Sequence, residues 1–309
     1  MAASDVIRLG SRGSTLALWQ AGHIRAEVER RTGRKVEIIK IKTTGDMILD
    51  VPLSKVGGKG LFVKEIEDAL LRGAVDLAVH SAKDLPALIP EGLALMAFPE
   101  REDPRDVLIS REGKRWREIP AGGRVGTGSL RRRAQLLHLR PDLEIIPMRG
   151  NLDTRIKRLS TLKLDAIVLA SAGLRRLNWE DQISEYFEPE VMLPAIGQGV
   201  LAIEGRLGDE RINRLAAPLN HYPTEASLTA ERAFLQRLEG GCQVPVAGFA
   251  KVGSGRLSLV GLVAGVEGHR VISGRVEGPA AKSEELGKQL AEELLAQGAG
   301  DILREVYRK

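Results

Sequence analysis

Ala74-Val75-Asp76-Leu77-Ala78-Val79-His80-Ser81-Ala82-Lys83-Asp84-Leu85-Pro86 is a mostly apolar run that ends in charge and is closed by proline. Residues 74–80 read as a strand. Strand ends in open α/β sheets are where ligand crevices form, so Asp84 is a carboxylate at such an edge, beside the cation Lys83. The plainer alternative is a solvated turn stopped by Pro86.

Working outward, the chain alternates strand and helix. Residues 6–9 read as a strand, 10–13 as a turn, and 15–31 as a helix with apolar Leu16, Leu18, Trp19 and Ile24 and with Gly33 past its end. Residues 36–41 form a second strand and 61–71 a helix, the βαβ rhythm of a largely parallel sheet. The charged segment Arg101-Glu102-Asp103-Pro104-Arg105 opens a second block, with strands at 106–109, 124–126, 143–146 and 166–169 and helices at 130–139 and 152–160. This block ends near Leu193-Pro194, and residues 199–204 read as a strand that returns to the first sheet. A third block starts near His221-Tyr222-Pro223, with a helix at 224–238, strands at 246–251, 257–263 and 271–276, and a last helix at 281–296. The expected fold class is α/β, with two α/β lobes flanking a cleft plus a smaller C-terminal α+β domain. The expected divisions are 1–100 with 199–219, then 104–194, then 221–309.

Composition narrows the function classes. At 309 residues the chain exceeds what one core usually sustains. It is 43% hydrophobic and 28% charged, as soluble globular proteins are, and no apolar run approaches the length of a bilayer span. Residues 1–10 carry no signal-peptide pattern, and one cysteine cannot form an internal disulfide, so a cytoplasmic protein is expected. The net charge is +5, yet aromatic residues are only 4%, which argues against a base-stacking surface. Neither a nucleic-acid nor a membrane partner is expected.

That single cysteine, Cys242, lies in Gly240-Gly241-Cys242-Gln243-Val244-Pro245, directly after a helix. A lone cysteine is commonly a small buried hydrophobe. Two glycines and a proline instead suggest a loop thiol placed for covalent work. Metal binding is not expected, because no ligand spacing accompanies it. Gly57-Gly58-Lys59-Gly60-Leu61-Phe62 is a glycine-rich loop opening a helix, without the Walker A pattern. Arg12, Arg131, Arg132, Arg149, Arg155 and Arg176 recur at strand–helix junctions, where two lobes would face each other. Each alone reads as a solvated charge; as a set they predict a ligand with several carboxylates or phosphates.

Together these motifs resemble the porphobilinogen deaminase family. The resemblance runs from Leu9-Gly10-Ser11-Arg12-Gly13-Ser14 with Gln20, through Thr43-Thr44-Gly45-Asp46 and His80-Ser81 with Lys83-Asp84. It continues in Ser129-Leu130-Arg131-Arg132, Arg149-Gly150-Asn151, Ala172-Gly173-Leu174, Gly197-Gln198-Gly199 and Gly240-Gly241-Cys242. It implies two periplasmic-binding-protein-like lobes and a monomer that condenses four porphobilinogens into the linear tetrapyrrole hydroxymethylbilane, with loss of ammonia. It implies a dipyrromethane cofactor, made from substrate and held by Cys242 through a thioether. Asp84 matches the catalytic carboxylate. Lys83, Ser129, Arg131, Arg132, Arg155, Gly173 and Asp46 match cofactor-binding positions. Arg12, Ser14, Gln20, Arg149, Gly150, Asn151, Arg176 and Gln198 match positions for substrate and growing chain. Lys55, Lys59 and Phe62 match the active-site loop. Three departures stand out: Gly128 where a small polar residue is common, Asp153 where glycine is common, and a smaller Ala82. The competing readings are a non-catalytic two-lobed receptor for a polycarboxylate and a nucleic-acid-binding protein.

Overall fold

The computed structural model describes residues 6–47, 61–238 and 244–307. The first lobe contains β1 (Ile7–Ser11), α1 (Thr15–Thr32), β2 (Val36–Lys40), α2 (Thr44–Met47), α3 (Lys64–Leu71), β3 (Leu77–Ser81) and β4 (Leu93–Ala97). The second contains β5 (Asp106–Ser110), β6 (Arg124–Gly126), α4 (Leu130–Leu139), β7 (Glu144–Ile146), α5 (Leu152–Thr161), β8 (Ala166–Ala170), α6 (Ser171–Arg176) and β9 (Glu185–Phe187). The chain then returns to the first sheet as β10 (Leu201–Arg206), followed by α7 (Glu210–Ala216).

The first sheet has the order β2-β1-β3-β10-β4, and the second β7-β6-β8-β5-β9. In each, three parallel strands meet one that has just crossed from the other lobe and runs antiparallel to both its neighbours. The largely parallel sheet expected from the βαβ rhythm is borne out for four of the five strands of each sheet, which run in one direction, with the crossing strand as the exception. That rhythm describes connections within a lobe, whereas β5 and β10 enter from outside it. The return of residues 199–204 to the first sheet is borne out, with Ala202 opposite His80. Boundaries shift where no cap marks them: the helix expected from residue 61 begins at Lys64, after Val63, which makes no side-chain cap bond.

Helix α1 packs Ala21, Ile24 and Val28 on Ile7, Leu9, Leu77 and Val79 of the first sheet. Helix α3 packs Ile66, Ala69 and Leu70 on Ala78 of the opposite face. Both faces of β3 are therefore covered, which is why residues 77–80 are all buried.

The C-terminal region has α8 (Tyr222–Arg237), the antiparallel strands β11 (Val246–Gly253), β12 (Arg256–Ala264) and β13 (Val271–Pro279), then α9 (Ser283–Ala296) and α10 (Ala299–Tyr307). Phe234 of α8 is fully buried at its centre. A β-carbon on Gly261 would stand 2.6 Å from the Phe234 ring, so that glycine makes room for it. Burying such a side chain stabilises by about 1.5–3 kcal/mol. Among the described residues no helix is long and apolar enough to cross a membrane.

Candidate active site

The cleft is built from loops that leave the same ends of equivalent strands. In the first lobe, β1 delivers Arg12 and then Ser14, whose hydroxyl accepts from the Ala17 amide and caps α1. Gln20 of α1 donates to Ser81 Oγ at 3.0 Å, tying the helix to the end of β3. Ser81 is followed by one 3₁₀ turn, Ala82–Asp84, which brings Lys83 and Asp84 to the cavity. In the second lobe, Ser129 caps α4 by accepting from the Arg132 amide. Gly150 has φ +104°, a conformation that strains any other residue, and its carbonyl accepts from Arg155 Nε at 2.8 Å. Arg176, at the end of α6, donates to the Gly199 carbonyl at 2.8 Å.

The resulting cavity measures about 290 Å³. Arg12, Ser14, Gln20, Asp46, Phe62, Lys83 and Asp84 line it from the first lobe. Arg132, Arg149, Gly150, Asn151, Asp153, Arg155, Gly173 and Arg176 line it from the second. Six of these are cations (Arg12, Lys83, Arg132, Arg149, Arg155, Arg176) and three are acids (Asp46, Asp84, Asp153), so the walls carry excess positive charge.

Local environments sort these charges. Arg12 binds the Asp46 carboxylate and lies 4.3 Å above the Phe62 ring. Burial pushes the Asp46 carboxyl up, but Arg12 and Thr43 overcome this and hold it below its ordinary range. Burial pushes the Lys83 ammonium down to about 8; Arg132 and Arg155 add to the shift, while Asp84 and Asp106 oppose it. Arg155 and Arg176 are pushed down to about 10 by burial and remain cations at neutral pH. Burial lowers Arg149 as well.

Three expected site residues do not line the cavity. Ser129 is engaged as the cap of α4. Arg131 lies behind the wall, donating to Asp106 Oδ2 and to the Leu193 carbonyl, both at 2.7 Å. Gln198 lies there too, donating to the Pro104 carbonyl at 2.6 Å and to Asp106 Oδ1 at 3.0 Å. Cys242, Lys55 and Lys59 fall outside the described residues.

The residue that organises this wall, Asp106, was not singled out from the sequence. It is fully buried and also accepts from Arg132 at 2.6 and 2.9 Å. Burial raises its carboxyl, but the two guanidiniums more than reverse this and hold it ionised. The available signal was an acid opening the otherwise apolar strand Asp106-Val107-Leu108-Ile109. Glu231 was also unassigned. Buried in α8, it accepts from Arg101 at 2.6 Å, the Gly197 amide at 2.7 Å and the Ala250 amide at 2.8 Å, joining both crossing segments to the C-terminal sheet.

The departures have local reasons or contacts. A β-carbon on Gly128 would stand 2.2 Å from the Met148 carbonyl oxygen, so a serine there would force the backbone to shift. Asp153 accepts from Thr15 Oγ1 at 3.5 Å, a long contact across the cleft. Ala82 is buried, and a β-carbon on Gly197 would come within 3.0 Å of its own.

Residues 7–214 match the family described as "Porphobilinogen deaminase, dipyromethane cofactor binding domain", and residues 226–296 match "Porphobilinogen deaminase, C-terminal domain". A Porphobilinogen deaminase of Geobacter metallireducens is 55% identical over 304 residues, covering 98% of this chain and 95% of its own length. One from Syntrophobacter fumaroxidans is 52% identical, covering 98% of each. Among solved structures, the Methionine Binding Protein MetQ overlaps 69% of this chain and 89% of its own, at 13% identity and a TM-score of 0.44. Two family domains that together span both lobes and the C-terminal region, with relatives more than half identical along nearly the whole length, establish that this chain belongs to the porphobilinogen deaminase family.

Proposed function

We propose that the Lys83–Asp84 turn and the facing guanidiniums carry the family's reaction: deamination of porphobilinogen and its stepwise condensation into hydroxymethylbilane. The supporting observation is one carboxylate, Asp84, beside the half-buried Lys83 ammonium and opposite Arg132, Arg149 and Arg155 in a shared cavity. Each porphobilinogen carries two carboxylates and an aminomethyl arm, so the ligand is anionic at its edges and becomes cationic at its centre as ammonia departs. Asp84 is assigned to that centre. It manages the proton on the leaving amine and stabilises the positive charge left on the pyrrole.

The family's dipyrromethane cofactor fits the donor set, since six cations against three acids suit a ligand with several carboxylates. Lys83, Asp46, Arg132, Arg155 and Gly173 line the space assigned to it. Ser129 and Arg131 are assigned one layer behind, holding Arg132 in place. Cys242 is assigned as the covalent tether. When bound, this group supplies the nucleophilic pyrrole carbon. Arg12, Arg149 and Arg176, with Ser14, Gln20, Gly150 and Asn151, are assigned to substrate and the lengthening chain. Gln198 is assigned to hold Asp106 and the crossing segment. Every added ring brings two more carboxylates, so without matched cations repulsion and desolvation would oppose elongation. Lys55, Lys59 and Phe62 are assigned to the active-site loop.

This reading takes residues 1–100 with 199–219 as one lobe, 104–194 as the second and 221–309 as the tether-bearing domain. It takes the protein as a cytoplasmic monomer. The test is incubation with porphobilinogen, followed by ammonia assay and intact mass after denaturation. Ammonia release with two pyrrole units retained on Cys242 is expected. Binding without ammonia would make the protein a receptor, and a bare Cys242 thiol in active protein would end the tether assignment.

A further inference from the structure

Helix α3 buries Ile66, Glu67, Ala69 and Leu70, among which Glu67 is the misfit. Strand β10, packed against α3, carries a second buried acid, Glu204, which is fully enclosed. Glu204 lies diagonally from His80 on the same sheet face, because Ala202 pairs with His80 and Glu204 with Ala78. His80 Nε2 donates to Glu204 Oε2 at 2.9 Å, with both side chains essentially out of solvent. Glu67 Oε1 and Glu204 Oε1 are buried without a hydrogen-bond partner. Leaving two buried carboxylate oxygens unsatisfied is costly, and two carboxylates in one dry site resist double ionisation.

The place of this cluster matters. His80 is the penultimate residue of β3, three positions before Lys83 and four before Asp84. The Ala82 amide then donates to the Val200 carbonyl at 2.9 Å, so β10 and the residue before it hold the chain on both sides of Ser81. We propose that His80, Glu204 and Glu67 act as positioning residues for the Lys83–Asp84 turn. The inference rests on reading that turn as the reacting group.

Burial, and then Glu204, push the Glu67 carboxyl up to about 7, with His80 opposing and Asp68 adding to the shift. The other charges on the strands packed against α3 are Arg8 of β1 and Arg206 of β10, both paired with Asp76. Strand β4 carries no ionisable side chain. On α3 itself Glu65 is tied to Thr44. Below the shifted value Glu67 is neutral. Above it, Glu67 carries a negative charge into the dry α3–β10 contact.

The test is the pH dependence, from 6 to 8, of kcat and KM for porphobilinogen in the full-length holoenzyme and in Glu67→Gln, a neutral isostere. The ratio of wild-type to variant kcat should fall by roughly threefold to tenfold over this range while the KM ratio stays level. Glu67→Met, of similar size with no proton to lose, should give the same falling ratio and so separate charge from hydrogen bonding. His80→Asn should lower kcat by about tenfold with KM within about twofold. Thermal unfolding supplies the folding control. A raised carboxyl contributes stability that is present below its ordinary 4.5 and is lost as pH rises through about 7, so wild type should lose ground to Glu67→Gln in that window. A kcat ratio independent of pH in both Glu67 variants, or an effect of His80→Asn on KM alone, overturns the proposal. Normal turnover by Asp84→Asn would instead overturn the reading of the site beneath it.

Discussion

The two lobes share one topology and differ in what their loops carry. Strands β1, β2, β3, β10 and β4 of the first stand where β6, β7, β8, β5 and β9 stand in the second. In both, the first strand leads to a serine that caps the next helix: Ser14 for α1 and Ser129 for α4. After the third strand they diverge. Strand β3 ends in the turn bearing Lys83 and Asp84, whereas β8 runs into α6 and Arg176. The first lobe thus places Asp46 and Asp84 in the cavity, and the second supplies Asp153 and most of the guanidiniums. A common scaffold holds two chemistries because helix caps and sheet order depend on the backbone, while charge depends on the loop side chains.

The division of labour can be broken from either side. Asp84→Asn should lower ammonia release by about 10²–10⁴-fold with an unchanged melting temperature. Turnover near wild type would remove chemistry from the first lobe. In the second lobe, Asp106→Asn strands two buried guanidiniums and should cost about 3–5 kcal/mol in urea denaturation. Because the Asp106 carboxyl is held low, its contribution is present above its ordinary 3.8 and is lost as pH falls through the folded value. A variant as stable as wild type would mean that the arginine wall needs no central anion.

Arg149→Ala sharpens the contrast. It should slow elongation by about tenfold and shift the mass distribution of enzyme-bound intermediates toward shorter chains, with little change in stability. An unchanged distribution would count against a substrate role for the second lobe. The smallest effect is expected at Lys83. Its ammonium, lowered to about 8, loses charge as pH rises from 7 to 9, so KM should rise by a few fold at about pH 9. Lys83→Arg should flatten that rise. The unfolded chain binds this proton up to 10.5, so wild-type stability should gain from this group between about 8 and 10.5.

Much of this was legible in the residues. The spans 124–126 and 130–139 agree with β6 and α4, where caps and periodicity coincide. Strand β4 was not anticipated, because Leu93-Ala94-Leu95-Met96-Ala97 has no β-branched residue. Nor were β9, of three residues, and α6, of six with Gly173 inside it; both are too short for a period to register. Arg131 and Arg132 read alike as neighbours, yet one lies behind the wall and the other lines the cavity. Adjacent helical positions differ by about 100° in direction, and only packing decides which of them faces a ligand.

Local order along the chain was enough for the two lobes, the returning strand, the family and most of the charged groups at the cleft. Those properties follow from periodicity, caps and motif sequence, which neighbouring residues encode. The partners of the buried charges were decided only by the folded chain. Asp106 joins Arg132 from 26 positions away, and Glu204 meets His80 across 124. The energy of a charge removed from water depends on what surrounds it in space, and that is created when the two lobes close around their shared strands.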